Sequence, residues 1–212
     1  GLSFDDEIKQ LEAVAEAGRR HPVDLVPTFM GAHDIPAEYK DRPDAYVDLV
    51  VEKMLPAVRE RRLAEFFDVF CEKGVFSLEQ TRRLVRAARE AGLGIKIHSD
   101  EFTPLGGTEL AAEIGAVSAE HLIAITPDGI KALAASPTIA LLLPGVPFFL
   151  MLDKRPPARA LIDAGAAIAL SSDFNPGSSM VASMLFVLPL GIFTLGLSVE
   201  EAINACTANA AC

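Results

Sequence analysis

The chain has 212 residues, half of them apolar, and a net charge of -10. It can bury a substantial core, and its acidic balance excludes a nucleic-acid surface, which needs clustered Lys and Arg. No apolar run reaches the roughly 20 residues of a membrane span, so no membrane partner is expected, and no signal-peptide pattern is visible.

In chain order, Gly1–Asp6 reads as the exit of a strand that is not present. Leu25–Met30 is the first strand candidate, followed by Gly31-Ala32-His33. Asp44–Arg62 has a helical pattern, with Val47, Val50, Val51 and Met54 on one side. Phe66–Cys71 is the second strand. Ser77 then caps a helix running to Ala91, with Gln80 completing a capping box. Ile95–His98, Ala116–His121, Thr138–Leu143 and Ala167–Ser172 are the remaining strands. Helices Thr108–Ile114, Pro127–Ala135 and Arg155–Ala164 lie between them, and a mostly helical stretch from Met180 is broken by Pro189 and Gly191.

Six strands alternating with helices predict a parallel α/β fold in one domain, residues 1–212. The tight spacing of the later strands suits a βα barrel, whose C-terminal strand ends share one face. A complete barrel has eight strands, so the expectation is an incomplete TIM-type (β/α)8 barrel, the middle and end of a larger one.

Chemistry-bearing residues stand at those strand ends. His98 closes the third strand and suits a zinc or iron ligand, or a structural role. Glu101, three residues on, holds a water or a substrate N–H, or is a solvated loop acid. His121 closes the fourth strand as a ligand, a proton shuttle or a core histidine. Asp173 follows the sixth strand, where burial of an unpaired carboxylate is costly. A metal would offset that cost; a helix cap is the alternative. Asn175 and Gly177 lie on the next turn, where they offer an amide side chain and a close backbone N–H to a ligand or simply make the turn, and His33 at the first strand end contacts substrate or has a structural role. His21 has no such context and reads as surface. Cys71, Cys206 and Cys212 form no metal-type pair, which fits a reduced, cytoplasmic protein.

Five segments together resemble the imidazolonepropionase family of the amidohydrolase superfamily. They are Thr28–His33, Asp68–Glu72, Lys96–Glu101, Ser118–Leu122 and Ser172–Gly177. The resemblance implies a metal-dependent barrel enzyme of histidine degradation, cytoplasmic and homodimeric when complete. It would bind one divalent metal, zinc or iron, and a small-molecule substrate, opening 4-imidazolone-5-propanoate with water to N-formimino-L-glutamate. By that similarity His98 and Asp173 are metal ligands, and Asp173 is also the base. Glu101 and His121 sit against substrate and water, while His33, Asn175, Gly177 and Ser178 line the pocket. The family's HxH pair does not occur in this chain, and its small β-sandwich domain is absent. Another hydrolase or deaminase of the superfamily, or a non-catalytic barrel fragment, are the alternatives.

Overall fold

The computed structural model describes residues 3–211. Two compact units divide the chain, Gly1–His98 and Ser99–Cys212.

The first unit opens with helix α1, Phe4–Arg20. Ser3 caps it by accepting from the Asp6 N–H, and Asp5, Asp6 and Glu7 complement the positive end of the helix dipole. Of the strand exit expected at Gly1–Asp6, Gly1 and Leu2 lie outside the described residues, and Phe4–Asp6 already belong to the helix. Strand β1 is Thr28–Ala32, later than the apolar run suggested. Pro27 interrupts that run, and Leu25 and Val26 before it are exposed. A helix then runs from α2, Pro43–Leu49, through a π-helical turn at Val50–Met54 into α3, Leu55–Arg61. Leu55 N–H reaches Val50 O, five residues back. Pro56 accounts for the wide turn, because its ring would crowd the Glu52 carbonyl in a regular helix and it has no N–H to donate. Strand β2, Phe66–Cys71, pairs parallel with β1. Helix α4, Leu78–Glu90, carries the full Ser77–Gln80 capping box, and β3 is Gly94–Ser99. The core includes Phe29, Tyr46, Val50, Met54, Phe67, Val69, Leu84 and Ile97, all fully enclosed.

The second unit carries α5, Gly107–Ile114, then β4, Ser118–His121, and α6, Pro127–Ala134. Strand β5, Ile139–Leu142, pairs parallel with β4 on one side and with β6, Ile168–Leu170, on the other. Short helices α7, Gly145–Phe149, and α8, Ala158–Asp163, separate β5 from β6. Two prolines delay α8 past the expected Arg155, since residues before proline avoid helical backbone. Helix α9, Met184–Leu195, runs through both Pro189 and Gly191 rather than breaking. Gly191 is needed there: a Cβ would lie 2.7 Å from Leu170 Cδ1, so its absence lets the helix approach β6 closely. Helix α10, Val199–Cys206, follows. Among the described residues no helix is long and apolar enough to cross a membrane.

Within each unit the strand order follows the sequence, β1-β2-β3 in the first and β4-β5-β6 in the second. The ladders β1–β2, β4–β5 and β5–β6 are parallel, with helices between strands, as in part of a TIM-type barrel.

Candidate metal centre

Side chains alternate along β2, so Phe67, Val69 and Cys71 enter the core while Phe66, Asp68 and Phe70 take the other face. On β3, Ile95 and Ile97 are core residues, and Lys96 and His98 take the opposite face. The two faces meet residue by residue. Lys96 Nζ stands 4.9 Å from the centre of the Phe66 ring. Beyond it His98 Nδ1 lies 2.8 Å from Asp68 Oδ1.

His33 completes the group from the end of β1. Its Nδ1 is 3.7 Å from the same carboxylate oxygen. Its ring stacks on Phe70, with centroids 5.3 Å apart, and meets His98 edge-on at 4.5 Å. Asp68 and His98 are buried, whereas the His33 side chain is 35% exposed and so forms the solvent side of the group. Ligand atoms of His33, Asp68 and His98 all lie within 4.8 Å of one another, so these residues can hold a metal ion. Burial pushes the Asp68 carboxyl up. The two imidazoles beside it, His98 above all, outweigh that effect and hold the group well below the usual carboxylate range.

The second unit supplies a separate set. His121 ends β4 and Glu101 follows β3. His121 Nε2 is 3.6 Å from Glu101 Oε2, and both side chains are buried. Ser118 donates to Glu120 Oε1 at 2.9 Å within the same strand. Asp173 stands half-buried just after β6. Asn175 organises the turn beyond it. Its amide donates to the Asp173 carbonyl at 2.8 Å and to Asp173 Oδ2 at 3.3 Å. Its carbonyl oxygen accepts from the N–H groups of Gly177 and Ser178, each at 2.8 Å. The Gly177 N–H, expected to face a ligand, therefore serves the turn. A Cβ on Gly177 would lie 3.3 Å from Asn175 Oδ1, which favours glycine there.

The structure thus brings His33 together with His98 in the first unit, and Glu101 with His121 in the second. Asp173, Asn175, Gly177 and Ser178 form the turn after β6. Sequence reasoning gave no role to Asp68. The available clue was an acid flanked by Phe66 and Phe70 on one face of an apolar strand. It also passed over Asp100, whose Oδ2 accepts from Thr108 Oγ1 at 2.6 Å in a buried pair. His21 is exposed, as expected.

No family model matches the chain. Solved structures show the same fold. The guanine deaminase of C. acetobutylicum matches 99% of this chain and 56% of its own, at TM-score 0.72 and 13% identity. The 5-methylcytosine deaminase of Klebsiella pneumoniae matches 98% of this chain and 56% of its own, at TM-score 0.74 and 16% identity. An adenosine deaminase from Xanthomonas campestris, solved with bound zinc, matches 95% and 50%, at TM-score 0.65 and 16% identity.

Together with the histidine and carboxylate groups at the strand ends, these likenesses define a protein of the amidohydrolase fold class. Sequence narrows the assignment. Proteins named imidazolonepropionase from Alkaliphilus metalliredigens and from Geobacillus sp. are each 53% identical over 211 residues, all of this chain and 50% of theirs. One from Streptococcus pyogenes serotype M6 is 52% identical over the same share. The chain is homologous over its whole length to proteins of the imidazolonepropionase family, and it spans about half the length of the curated relatives it matches.

Proposed function

We propose that the protein carrying this chain hydrolyses a cyclic amide C–N bond in histidine degradation, converting 4-imidazolone-5-propanoate and water to N-formimino-L-glutamate. The observation that carries this reading is identity of about half across the whole chain to proteins of that name. The buried His98 and its carboxylate neighbour suit a divalent metal, zinc or iron, since a neutral imidazole is a good ligand for either. By motif likeness His98 and Asp173 are its ligands, with further ligands supplied by residues outside this chain. By family likeness the enzyme is cytoplasmic, where cysteines stay reduced. By family likeness the complete protein is a homodimer.

When bound, the metal activates water and polarises the ring carbonyl. Asp173 takes the proton from the attacking water and holds it on a carboxylate oxygen. His121 and Glu101 face each other across 3.6 Å, close enough to pass a proton through small side-chain movements. That pair can protonate the departing ring nitrogen. By family likeness alone, His33, Asn175, Gly177 and Ser178 would contact the substrate in the complete protein.

The test is Asp173→Asn in the full-length protein, assayed for ring opening with added zinc or iron. The variant should keep its fold and lose roughly two to four orders of magnitude in turnover, as proton transfer catalysis of this size demands. Near-parental turnover would refute the assignment.

A further inference from the structure

Asp68 is the least expected residue of the chain: a carboxylate that is 2% exposed, set among Phe66, Phe70 and two imidazoles. Burying a carboxylate costs several kcal/mol, roughly, unless it is paired. Its recorded partners are His98 at 2.8 Å and His33 at 3.7 Å. We infer that Asp68 is a positioning residue: its carboxylate accepts the Nδ1 proton of His98 and so commits the Nε2 lone pair of that ring to the metal. The inference rests on the metal-enzyme reading above and adds a residue to it.

The argument follows from imidazole chemistry. A neutral histidine carries one ring proton, on either nitrogen. A metal needs the bare nitrogen, so the proton must sit on the other one, and an acceptor there selects that form. Asp68 Oδ1 lies 2.8 Å from Nδ1, inside hydrogen-bond distance, although the two are not aligned as a formed hydrogen bond, so the ring would turn onto the carboxylate when the metal binds. The opposite nitrogen is thereby assigned to the metal. The ring's rotation is also restricted. Phe70 meets the His98 ring at 74° with centroids 6.0 Å apart, and His33 meets it at 88°. The aromatic neighbours limit tilt, and the carboxylate selects the nitrogen. His33 shares the same oxygen, so one carboxylate links a ligand of the metal to a residue of the proposed pocket.

A rival chemistry uses the same atoms. His33, Asp68 and His98 could themselves grip an ion, in which case Asp68 would be a ligand and not a positioning residue. Stoichiometry separates the two.

The experiment uses the full-length protein and its Asp68→Asn, Asp68→Ala and Asp173→Asn variants. Zinc per chain is counted, and zinc affinity is measured by competition with a chelator. The cobalt(II)-substituted forms are compared by visible absorption, and the metal-free forms by denaturant unfolding. Asp68→Asn keeps the shape and an oxygen acceptor, so it should fold and weaken zinc binding about 10-fold. Asp68→Ala should weaken it by up to about 100-fold, the range for such outer partners. Both should bind the same number of zinc ions as the parent at saturation, with an altered cobalt spectrum. Zinc affinity within about twofold of the parent in both variants would overturn the inference. So would the loss of one zinc equivalent in Asp68→Asn, which would make Asp68 a ligand. If Asp68→Ala does not fold, Asp68→Asn decides alone. Asp173→Asn separates the two layers. Unchanged zinc affinity there defeats the underlying metal site, whereas loss there with no change at Asp68 defeats this inference only.

Discussion

Thr108 offers a test of what holds the segment around Glu101. Ser99, Asp100 and Thr108 are each fully enclosed. Thr108 Oγ1 donates to Asp100 Oδ2 at 2.6 Å and lies 3.0 Å from Ser99 Oγ. A hydroxyl has one proton. Since that of Thr108 goes to Asp100, Ser99 must be the donor in the second contact, and a relay runs from Ser99 through Thr108 to Asp100. Thr108→Val keeps the side-chain shape and removes both links. A hydrogen bond to a carboxylate is worth about 1.5–3 kcal/mol and a neutral one about 1 kcal/mol. Buried partners left behind also carry a desolvation penalty, but linked bonds are not additive. The expected loss is therefore about 2–4 kcal/mol in urea unfolding followed by far-UV ellipticity. Thr108→Ser restores the hydroxyl and removes only a buried methyl, about 1 kcal/mol. Turnover should fall with Thr108→Val, because Asp100 immediately precedes Glu101. A Val variant within about 0.5 kcal/mol of the parent, or a Ser variant no better than Val, would refute the relay.

Two smaller perturbations probe the flanks. Ser77→Ala removes the side-chain acceptor for the Gln80 N–H, which is half of the capping box, and should cost about 1 kcal/mol in the same unfolding assay, with turnover unchanged. Gly145→Ala places a Cβ 2.7 Å from Ser179 Oγ and 3.3 Å from the Ser172 carbonyl, between groups that bond each other at 2.8 Å. It should cost about 1–3 kcal/mol and lower turnover through Asp173, the next residue; stability equal to the parent would show that the site has slack.

Local signals of short range were the legible part of this fold. The Ser77–Gln80 pair marked a helix start at the correct residue, because a capping box needs only three residues of context. Phe66–Cys71 was read with its observed bounds, since apolar content and β-branching agree over a bounded run. Leu25 and Val26 misled because hydrophobicity alone does not say which face is buried, and both are solvent-exposed. Helix α1 was missed although Ser3, Ile8 and Leu11 have cap and core spacing, because Gly1–Asp6 was read as a strand exit. Pro189 was taken as a breaker, yet α9 packs on β6 and contains it, so tertiary contact outweighed local preference. At the candidate site, His98, His121 and Asp173 were visible as strand-end residues. Asp68 was not, because its meaning depends on a neighbour thirty residues away that only strand pairing supplies.

A backbone feature connects the strand ends. Asp100, His121, Leu122 and Asp173 all have positive φ, between 47° and 73°, although none is glycine. A non-glycine residue in the left-handed region is uncommon, and each instance costs on the order of 1 kcal/mol or more. Two of the remaining non-glycine cases, Arg62 and Met151, lie at helix ends, where left-handed backbone is ordinary. The other four all follow or end β3, β4 and β6. A strand that continued in extended backbone would carry its next side chain onward along the sheet. One left-handed residue bends the chain at once and leaves the preceding carbonyls available: Ser99 O accepts from Leu122 N–H, and Asp100 O from Ala124 N–H. The strain is held by these bonds and, after β6, by the Asn175 amide on the Asp173 carbonyl. His121 and Asp173 are themselves turning residues, so their side chains are fixed by the bend and not by a flexible loop. In the reaction proposed above, residues placed this way would need little ordering when substrate binds, as proton transfer requires.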